Sequence, residues 1–443
     1  MLCPPPHCDL EVSRPSGFDG LEICVGIVIP IYNAAPYLRE CLDSVLAQSY
    51  ENLSIVLVDD KSTDSSLEIA REYAARDSRI SLIVLGENSG QSVARNVAMD
   101  YLSGESYRQK VEQRLRGGGA VYRHIGKHDG GSGLGEGESF LKDWAGDLMG
   151  GCDGEGLAEG AGRDSARVEF IHFIDSDDWL ERDCIEKCVE LARKQDAQIV
   201  FHWRRLFNDT GVELELGEDA SPVALWGLRD GGVYSGLEIF KSLPSPSFSW
   251  ATLGIMRLDF LNALSLRFEQ GIESEDALFG MELFAQSERI AMLDARSYIY
   301  RLRPNSISQF TLRREDKLQT RPLECFPSSQ KDLAQAFGGN VYLVRHYSFC
   351  HACGVISLKM VEFMEARRGE LSPEMVECLE RFISHRMIFA FHGCEFGFDP
   401  RGVRAICKRL WRYGREASVL SKLAYFAPWA FLWLKWVKNK LLG

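Results

Sequence analysis

Phe170-Ile-His-Phe-Ile-Asp-Ser-Asp-Asp-Trp179 joins an apolar run to a cluster of acids. Phe170, Ile171, Phe173 and Ile174 have the character of a buried strand, and Asp175, Asp177 and Asp178 follow at its carboxyl end. In open α/β sheets the ligand crevice lies outside the carboxyl ends of the strands. Carboxylates gathered there are the oxygen ligands that hard divalent cations take, and such an ion bridges them to a substrate's phosphates. The same residues also fit a plainer role, a solvated turn leading into a helix that starts near Leu180. The flanking stretches decide between the two.

Upstream, Ile23 to Ile31 is wholly apolar, as strands buried on both faces of a parallel sheet are. From Pro36 a helix is expected, because Leu38, Cys41, Leu42, Val45 and Leu46 repeat at amphipathic spacing. A second strand, Leu53 to Val58, ends in Asp59-Asp60. Asp64-Ser-Ser-Leu-Glu opens the next helix with capping residues, reaching about Ala75. Ile80 to Leu85 is a third strand, and Asn88-Ser-Gly-Gln leads into a helix around Val93 to Tyr101. Strand and helix in strict alternation predict a doubly wound parallel sheet.

Ser103 to Val168 interrupts that pattern with seventeen of the 40 glycines and little apolar periodicity. It reads as a flexible insertion between the third helix and the strand at Phe170, with no catalytic role. Downstream, a helix over Cys184 to Lys194 and a strand over Gln198 to Trp203 complete the core. Ser221 to Ser249 has the Gly, Pro and Ser of connecting loops. Arg257 to Ala295 reads as mainly helical around a loop at Arg267 to Ser274, and Lys331 to about Ile388 as largely helical.

At 443 residues the chain has room for more than one core. A formal net charge of −12 argues against nucleic acid as a partner. The charge is uneven: residues 401–443 carry ten Lys or Arg against Glu416 alone, leaving about −21 for the rest. Thirteen scattered cysteines in a chain of this size read as reduced and buried. Cys350-His-Ala-Cys353 lacks a second cysteine pair at finger spacing, and Cys184 with Cys188 reads as one helix face, so zinc is disfavoured at both. Residues 1–22 read as a leader with no signal peptide.

The first strand is followed by Pro30-Ile-Tyr-Asn-Ala-Ala-Pro36, without the Gly-x-Gly-x-x-Gly of dinucleotide-binding folds. Taken together, Val25-Gly-Ile-Val-Ile-Pro-Ile-Tyr-Asn33, Val58-Asp-Asp-Lys-Ser-Thr-Asp64, Asn88-Ser-Gly-Gln-Ser-Val-Ala-Arg-Asn96 and Phe173-Ile-Asp-Ser-Asp-Asp-Trp179 resemble the inverting family-2 glycosyltransferases. The resemblance covers roughly Cys24 to Trp203, apart from the insertion, and continues more weakly to about Ser308. It implies a GT-A type, Rossmann-like, doubly wound mixed sheet followed by a mostly helical C-terminal region. The expected divisions are 1–22, a transferase domain at 23–310 with the insertion at 103–168, a helical region at 311–400 and a tail at 401–443.

Carried onto these positions, the resemblance implies that Pro30 and Tyr32 border a nucleobase, that Asp59 accepts a hydrogen bond from uracil, and that Arg95 stands beside the nucleotide. Asp175 and Ser176 would meet the donor, and Asp175 with Asp177 would hold Mn²⁺ or Mg²⁺, Asp177 most directly. The ion would offset charge on the departing diphosphate. Glu273-Ser-Glu-Asp-Ala-Leu-Phe279 resembles the family's acidic motif before a helix. Direct displacement needs one carboxylate to take the acceptor's proton; Asp276 is the expected base, with Glu275 the alternative. Helix capping is the competing role for these acids. Trp250 fits either a sugar-stacking or a core position, and Arg301 or Arg303 either a diphosphate contact or the surface.

Tyr425-Phe-Ala-Pro-Trp-Ala-Phe-Leu-Trp-Leu-Lys-Trp-Val437 is too short to span a bilayer, but its Trp and Lys residues suit a membrane–water interface. The whole then reads as a metal-dependent enzyme moving a hexose or N-acetylhexosamine from a nucleotide diphosphate sugar, UDP foremost. The expected acceptor is a surface glycan or glycolipid, such as a lipopolysaccharide or capsule precursor, at the cytoplasmic face of the cell membrane. The rivals are a membrane-associated scaffold without turnover and a sugar nucleotidyltransferase, the latter lacking its phosphate loop.

Overall fold

The computed structural model describes residues 23–103, 122–125, 168–209, 221–303, 320–326, 330–396 and 398–428, with scattered positions to 437. The sequence 1–22, most of the glycine-rich insertion, the segment 304–319 and much of the aromatic tail after 428 lie outside the described residues.

The apolar runs form the strands they predict. β1 (Cys24–Ile31) is buried at every position. It pairs in parallel with β2 (Leu53–Asp59) on one side and with β5 (Val168–Phe173) on the other. β3 (Ile80–Leu85) lies parallel on the far side of β2. Helices α1 (Ala35–Leu46), α2 (Ser66–Arg76) and α3 (Gln91–Leu102) are the crossovers. α1 buries Leu38, Cys41, Leu42 and Val45, each aliphatic side chain contributing about 1.5–3 kcal/mol relative to exposure. Gly26 keeps β1 and α3 close, since a Cβ there would lie 2.6 Å from Leu102 Cδ1.

The strand order is β4-β3-β2-β1-β5-β10-β7-β11-β9. The chain steps outward from β1 to β2 to β3 and then returns past β1 to β5, so the strand order reverses between β1 and β5, which opens a crevice at their carboxyl ends. Ile31 is in register with Asp59, and Val28 with Phe173, so Tyr32, Asp59 and Asp175 emerge along one edge.

Three features depart from the sequence reading. First, the insertion is not structureless throughout: β4 (Tyr122–Ile125) pairs antiparallel with β3. Its Tyr-Arg-His-Ile run is too short for a periodicity to show among glycines. Second, β10 (Gly254–Arg257) enters antiparallel between β5 and β7 (Ile199–Phe201), making the sheet mixed. Gly254 permits this: its φ is +147°, and a Cβ would lie 2.0 Å from the Val200 carbonyl oxygen. Third, the span from Arg257 to Ala295 holds helices at Leu258–Ala263 and Glu275–Ala285, and also β11 (Ile290–Met292), which pairs with β7 and with β9 (Val233–Tyr234). Strands of two or three residues leave no pattern to read. A second sheet joins β6 (Trp179–Leu180), β12 (Tyr298–Leu302) and β8 (Arg204–Asn208) beside the acidic loop.

We number the helix Cys184–Gln195 α4 and Glu275–Ala285 α5. The C-terminal region packs α6 (Val341–Ala366) against α7 (Pro373–His392). Asn340 and Ser372 cap these helices, accepting from the backbone of Leu343 and Met375. Both helices reach the sheet domain: Lys359 pairs with Glu269 at 3.3 Å, Arg386 donates to the Phe248 carbonyl, and Phe382 meets Phe240 edge-on. One apolar core runs through both regions. α8 (Val403–Arg409) and α9 (Val419–Phe426) follow. Among the described residues no helix is long and apolar enough to cross a membrane.

Candidate active site

Asp59 closes β2 with a buried carboxylate. Its Oδ2 accepts from the Ser62 amide, while its Oδ1 is buried with no hydrogen-bond partner. Burial raises its pKa, only partly offset by the Ser62 contacts. A buried acceptor left open in this way suits an N–H donor from a ligand. Pro30 is buried in β1, and Tyr32 is exposed just beyond it. Asp60, which the sequence reading did not place in the site, accepts from the amides of Ser89 and Gly90 at 2.7 and 2.8 Å. It thereby ties the loop before α3 to the end of β2, and burial pushes its carboxyl up to about 6.

The acids after β5 have separate tasks. Asp175 Oδ1 accepts from Arg95 Nη2 and Gln91 Nε2, both at 2.7 Å. Ser176 is nearly buried next to it. Asp177 Oδ2 is held at 2.5 Å by Arg303 Nε. Burial raises the Asp177 carboxyl, Arg303 lowers it, and Asp175 raises it again. Asp178 faces inward: Tyr298 Oη and the Arg301 amide donate to its two oxygens at 2.6 and 2.8 Å. Burial, then the charges of Asp177 and Asp175, lift its pKa well above the ordinary range. Asp178 thus fixes the loop to β12 and leaves Asp175 and Asp177 toward the crevice. Two carboxylates separated by one residue, each with its own arginine as present counter-charge, are a donor set that fits a hard divalent ion.

Arg301 and Arg303 also divide their roles. Arg301 is buried, donates to the Asp177 carbonyl, pairs with Glu40 and Asp209, and lies over the Trp179 ring at 4.6 Å. It braces the loop. Arg303 is more open and reaches the Asp177 carboxylate itself.

Arg95 joins this loop to the acidic turn before α5. Only 3% exposed, its guanidinium spans Asp175 at 2.7 Å and Glu275 Oε1 at 2.8 Å, and it rests on the Phe268 ring at 5.1 Å. It is therefore a bridge between carboxylates. Burial drives the Glu275 carboxyl up to about 7, with Arg95 pulling it down and Asp276 pushing it up. Asp276, in the same first turn, accepts from the Ser249 hydroxyl and has no ion-pair partner among the described residues. Ser274, just ahead, has a left-handed backbone that turns the chain into the helix. Gly280 lets α5 lie against Trp250, where a Cβ would be 2.9 Å from the Trp250 carbonyl oxygen. Trp250 is 1% exposed and its indole donates to the Leu253 carbonyl. Of its two readings the core one holds, and the ring is not open to a sugar.

Comparison with known proteins fixes the family. The sequence profile of glycosyl transferase family 2 matches residues 26–107 and 156–261. The chain belongs to glycosyl transferase family 2. It is 26% identical over 296 residues to glycosyltransferase GlyA of Streptococcus pneumoniae, covering 64% of this chain and 31% of that one. It is 24% identical over 336 residues to the uncharacterized glycosyltransferase EpsJ of Bacillus subtilis, covering 74% and 72%. Among solved structures, S. aureus TarS 1–349 in complex with UDP aligns at a TM-score of 0.46 and 16% identity, over 89% of this chain and 87% of that one.

Proposed function

We propose that this family-2 glycosyltransferase moves a hexose or N-acetylhexosamine, with inversion, from a nucleotide diphosphate sugar to a glycan or glycolipid hydroxyl. The observation that carries this is the Arg95 bridge, which puts the donor-side Asp175 and the acidic turn at Glu275 within one guanidinium of each other. Asp59, with its open Oδ1, would take the N–H of a uracil, and Tyr32 would face the base. Asp175 and Asp177 would hold Mn²⁺ or Mg²⁺, which when bound offsets the diphosphate's charge. Arg303, released from Asp177, would turn to the phosphates. Asp276 takes the proton of the acceptor hydroxyl as its oxygen bonds to the anomeric carbon. The bond from that carbon to the diphosphate oxygen breaks, and the nucleoside diphosphate leaves with the electron pair. The hydrogen bond from the Ser249 hydroxyl holds the Asp276 carboxylate in a set direction.

The test is transfer or hydrolysis of UDP-sugars with Mn²⁺ by the full chain, against Asp177→Ala and Asp276→Asn. Both variants should lose turnover while keeping the fold. Unchanged turnover in both overturns the mechanism, and nucleotide binding without turnover across a wide acceptor panel favours a scaffold.

The acceptor reading draws on the tail. Val419, Leu420 and Phe426 of α9 are exposed, as are Trp433 and Leu434 beyond it, in a segment rich in Lys and Arg. Apolar side chains among cations fit the surface of an anionic bilayer, which would set the enzyme peripherally on the inner face of the cell membrane. Sedimentation with vesicles containing anionic lipid checks this; Leu420→Ser with Phe426→Ser should lower the bound fraction, and equal binding to neutral vesicles would remove the electrostatic part.

A further inference from the structure

Three residues before Asp175, His172 is completely buried on β5, and the structure pairs it with groups that the transfer reaction does not use. Its Nε2 lies 3.1 Å from Nε2 of His202, the residue following β7. His202 Nε2 lies 3.6 Å from Sγ of Cys184, the first residue of α4. These three ligand atoms all fall within 4.8 Å of one another, and all three residues are fully buried. Cys188 lies one turn along α4, equally buried and interacting with Cys184, but outside this group of three.

We propose that His172, Cys184 and His202 hold a zinc ion, with Cys188 turning in as the fourth ligand, and that this tetrahedral centre staples the two ends of the acidic loop. Zinc binds nitrogen at about 2.0–2.1 Å and sulfur at about 2.3 Å, which gives tetrahedral edges of roughly 3.3 Å between nitrogens and 3.5 Å between nitrogen and sulfur. The observed 3.1 and 3.6 Å are within a few tenths of those edges. The outer contact of His202 also fits. Its Nδ1 lies 3.2 Å from the Trp203 carbonyl oxygen, which can only accept, so Nδ1 carries the proton and Nε2 turns a lone pair into the cluster. Ligating histidines are oriented by such second contacts. Two thiolates would cancel the charge of a divalent ion, leaving a neutral centre in an apolar core. Binding releases two thiol protons.

The position gives the centre a purpose. His172 precedes the loop 175–178 on β5, and Cys184 follows it on α4. His202 adds β7, two strands away across β10. An ion joining all three would fix the take-off of the strand and of the helix that frame the acids. His172 also stacks against Tyr298, whose hydroxyl holds Asp178. The centre stands apart from the carboxylate site, being made of nitrogen and sulfur ligands that hard Mg²⁺ does not favour.

The experiment uses the full chain, produced with zinc in the medium, dialysed against EDTA and assayed for metal. The expected content is one zinc per chain. Refolding with Co²⁺ alone should give a thiolate-to-cobalt charge-transfer band in the near ultraviolet and tetrahedral bands in the visible, neither of which carboxylate ligands produce. Asp177→Ala should keep these bands, Cys188→Ser should shift them, and Cys184→Ser or His202→Gln should reduce bound zinc about tenfold or more. Wild-type protein that holds no zinc after dialysis and gives no charge-transfer band with Co²⁺ overturns the proposal, whether or not the variants fold. Full zinc in both Cys184→Ser and His202→Gln overturns it equally.

Discussion

The chain has two acidic turns, 175–178 after β5 and 273–276 at the start of α5, and they differ in how each carboxylate is occupied. In the first, Asp175 has Arg95 and Gln91, Asp177 has Arg303, and Asp178 is sealed inside by Tyr298 and the Arg301 amide. Cations hold the outward pair, as befits groups whose work is to hold charge. In the second, Glu273 accepts from Gln330, Glu275 pairs with Arg95, and Asp276 accepts from the Ser249 hydroxyl. Among the described residues Asp276 carries no ion pair, so a substrate hydroxyl need not compete with a cation for it. Acids that look alike in sequence are thus sorted by their partners into charge holders and a proton acceptor.

The sharpest way to break this contrast is to exchange the acids one at a time. Asp276→Asn should lower kcat by about 10²–10⁴-fold, with little change in donor KM. Glu275→Gln should cost less in kcat and more in stability, because it loosens Arg95. If kcat falls further in Glu275→Gln than in Asp276→Asn, the base is Glu275 and the sorting by partner fails. Steady-state transfer kinetics on both variants, with far-UV circular dichroism to confirm folding, decides it.

Arg95 is where the two turns meet, so its removal tests whether they form one unit. Arg95→Met would leave Asp175 and Glu275 without their shared cation in a site closed to water on the guanidinium's side. Breaking a buried pair by removing one partner typically costs about 3–5 kcal/mol. Urea unfolding should report a loss of that size at neutral pH. A loss below about 1 kcal/mol, the range of surface pairs, would mean that the turns stand independently.

Burial along α5 sets a pH dependence. Glu275 is raised from 4.5 to about 7, and Glu282, on the same helix, also to about 7 by burial and the charge of Glu269. Between 4.5 and 7 the folded chain holds these protons and the unfolded chain has lost them. Their contribution is therefore full below 4.5 and declines as pH rises through 7. Glu282→Gln, away from the acids of the site, should flatten that decline in the denaturation midpoint between pH 5 and pH 8. An unaltered slope would show that Glu282 does not titrate in this window.

How much of this could be read from the sequence follows from how local each feature is. β1, β2, β3 and β5 are long apolar runs, so both the sheet and the acids at its edge were visible. β10, β9 and β11 have two to four residues, and β10 is admitted through a single glycine, so the mixed half of the sheet was not. Within the site, Asp175, Asp177, Glu275 and Asp276 announced themselves as clustered acids. Their partners did not, because Arg95 reaches Asp175 across 80 positions and Glu275 across 180. Arg95 was accordingly expected beside the nucleotide, and its bridging position is a product of tertiary folding. His172 and His202 carried no signal at all, being single histidines, one on β5 and one just after β7, that the sheet brings together.

The smallest expected effect concerns Ser249, whose hydroxyl donates to Asp276. Ser249→Ala removes one hydrogen bond, worth about 0.5–1.5 kcal/mol, and leaves an acid that water can solvate. Turnover should fall by about two- to tenfold, since each 1.4 kcal/mol is tenfold. Ser249→Thr keeps the hydroxyl and should restore the rate. That rescue separates a directional role for Ser249 from mere packing, which the threonine's extra methyl would worsen. If Ser249→Ala leaves the rate unchanged, the hydroxyl contact does not distinguish Asp276 from its neighbour, and the two turns differ only in which arginines they hold.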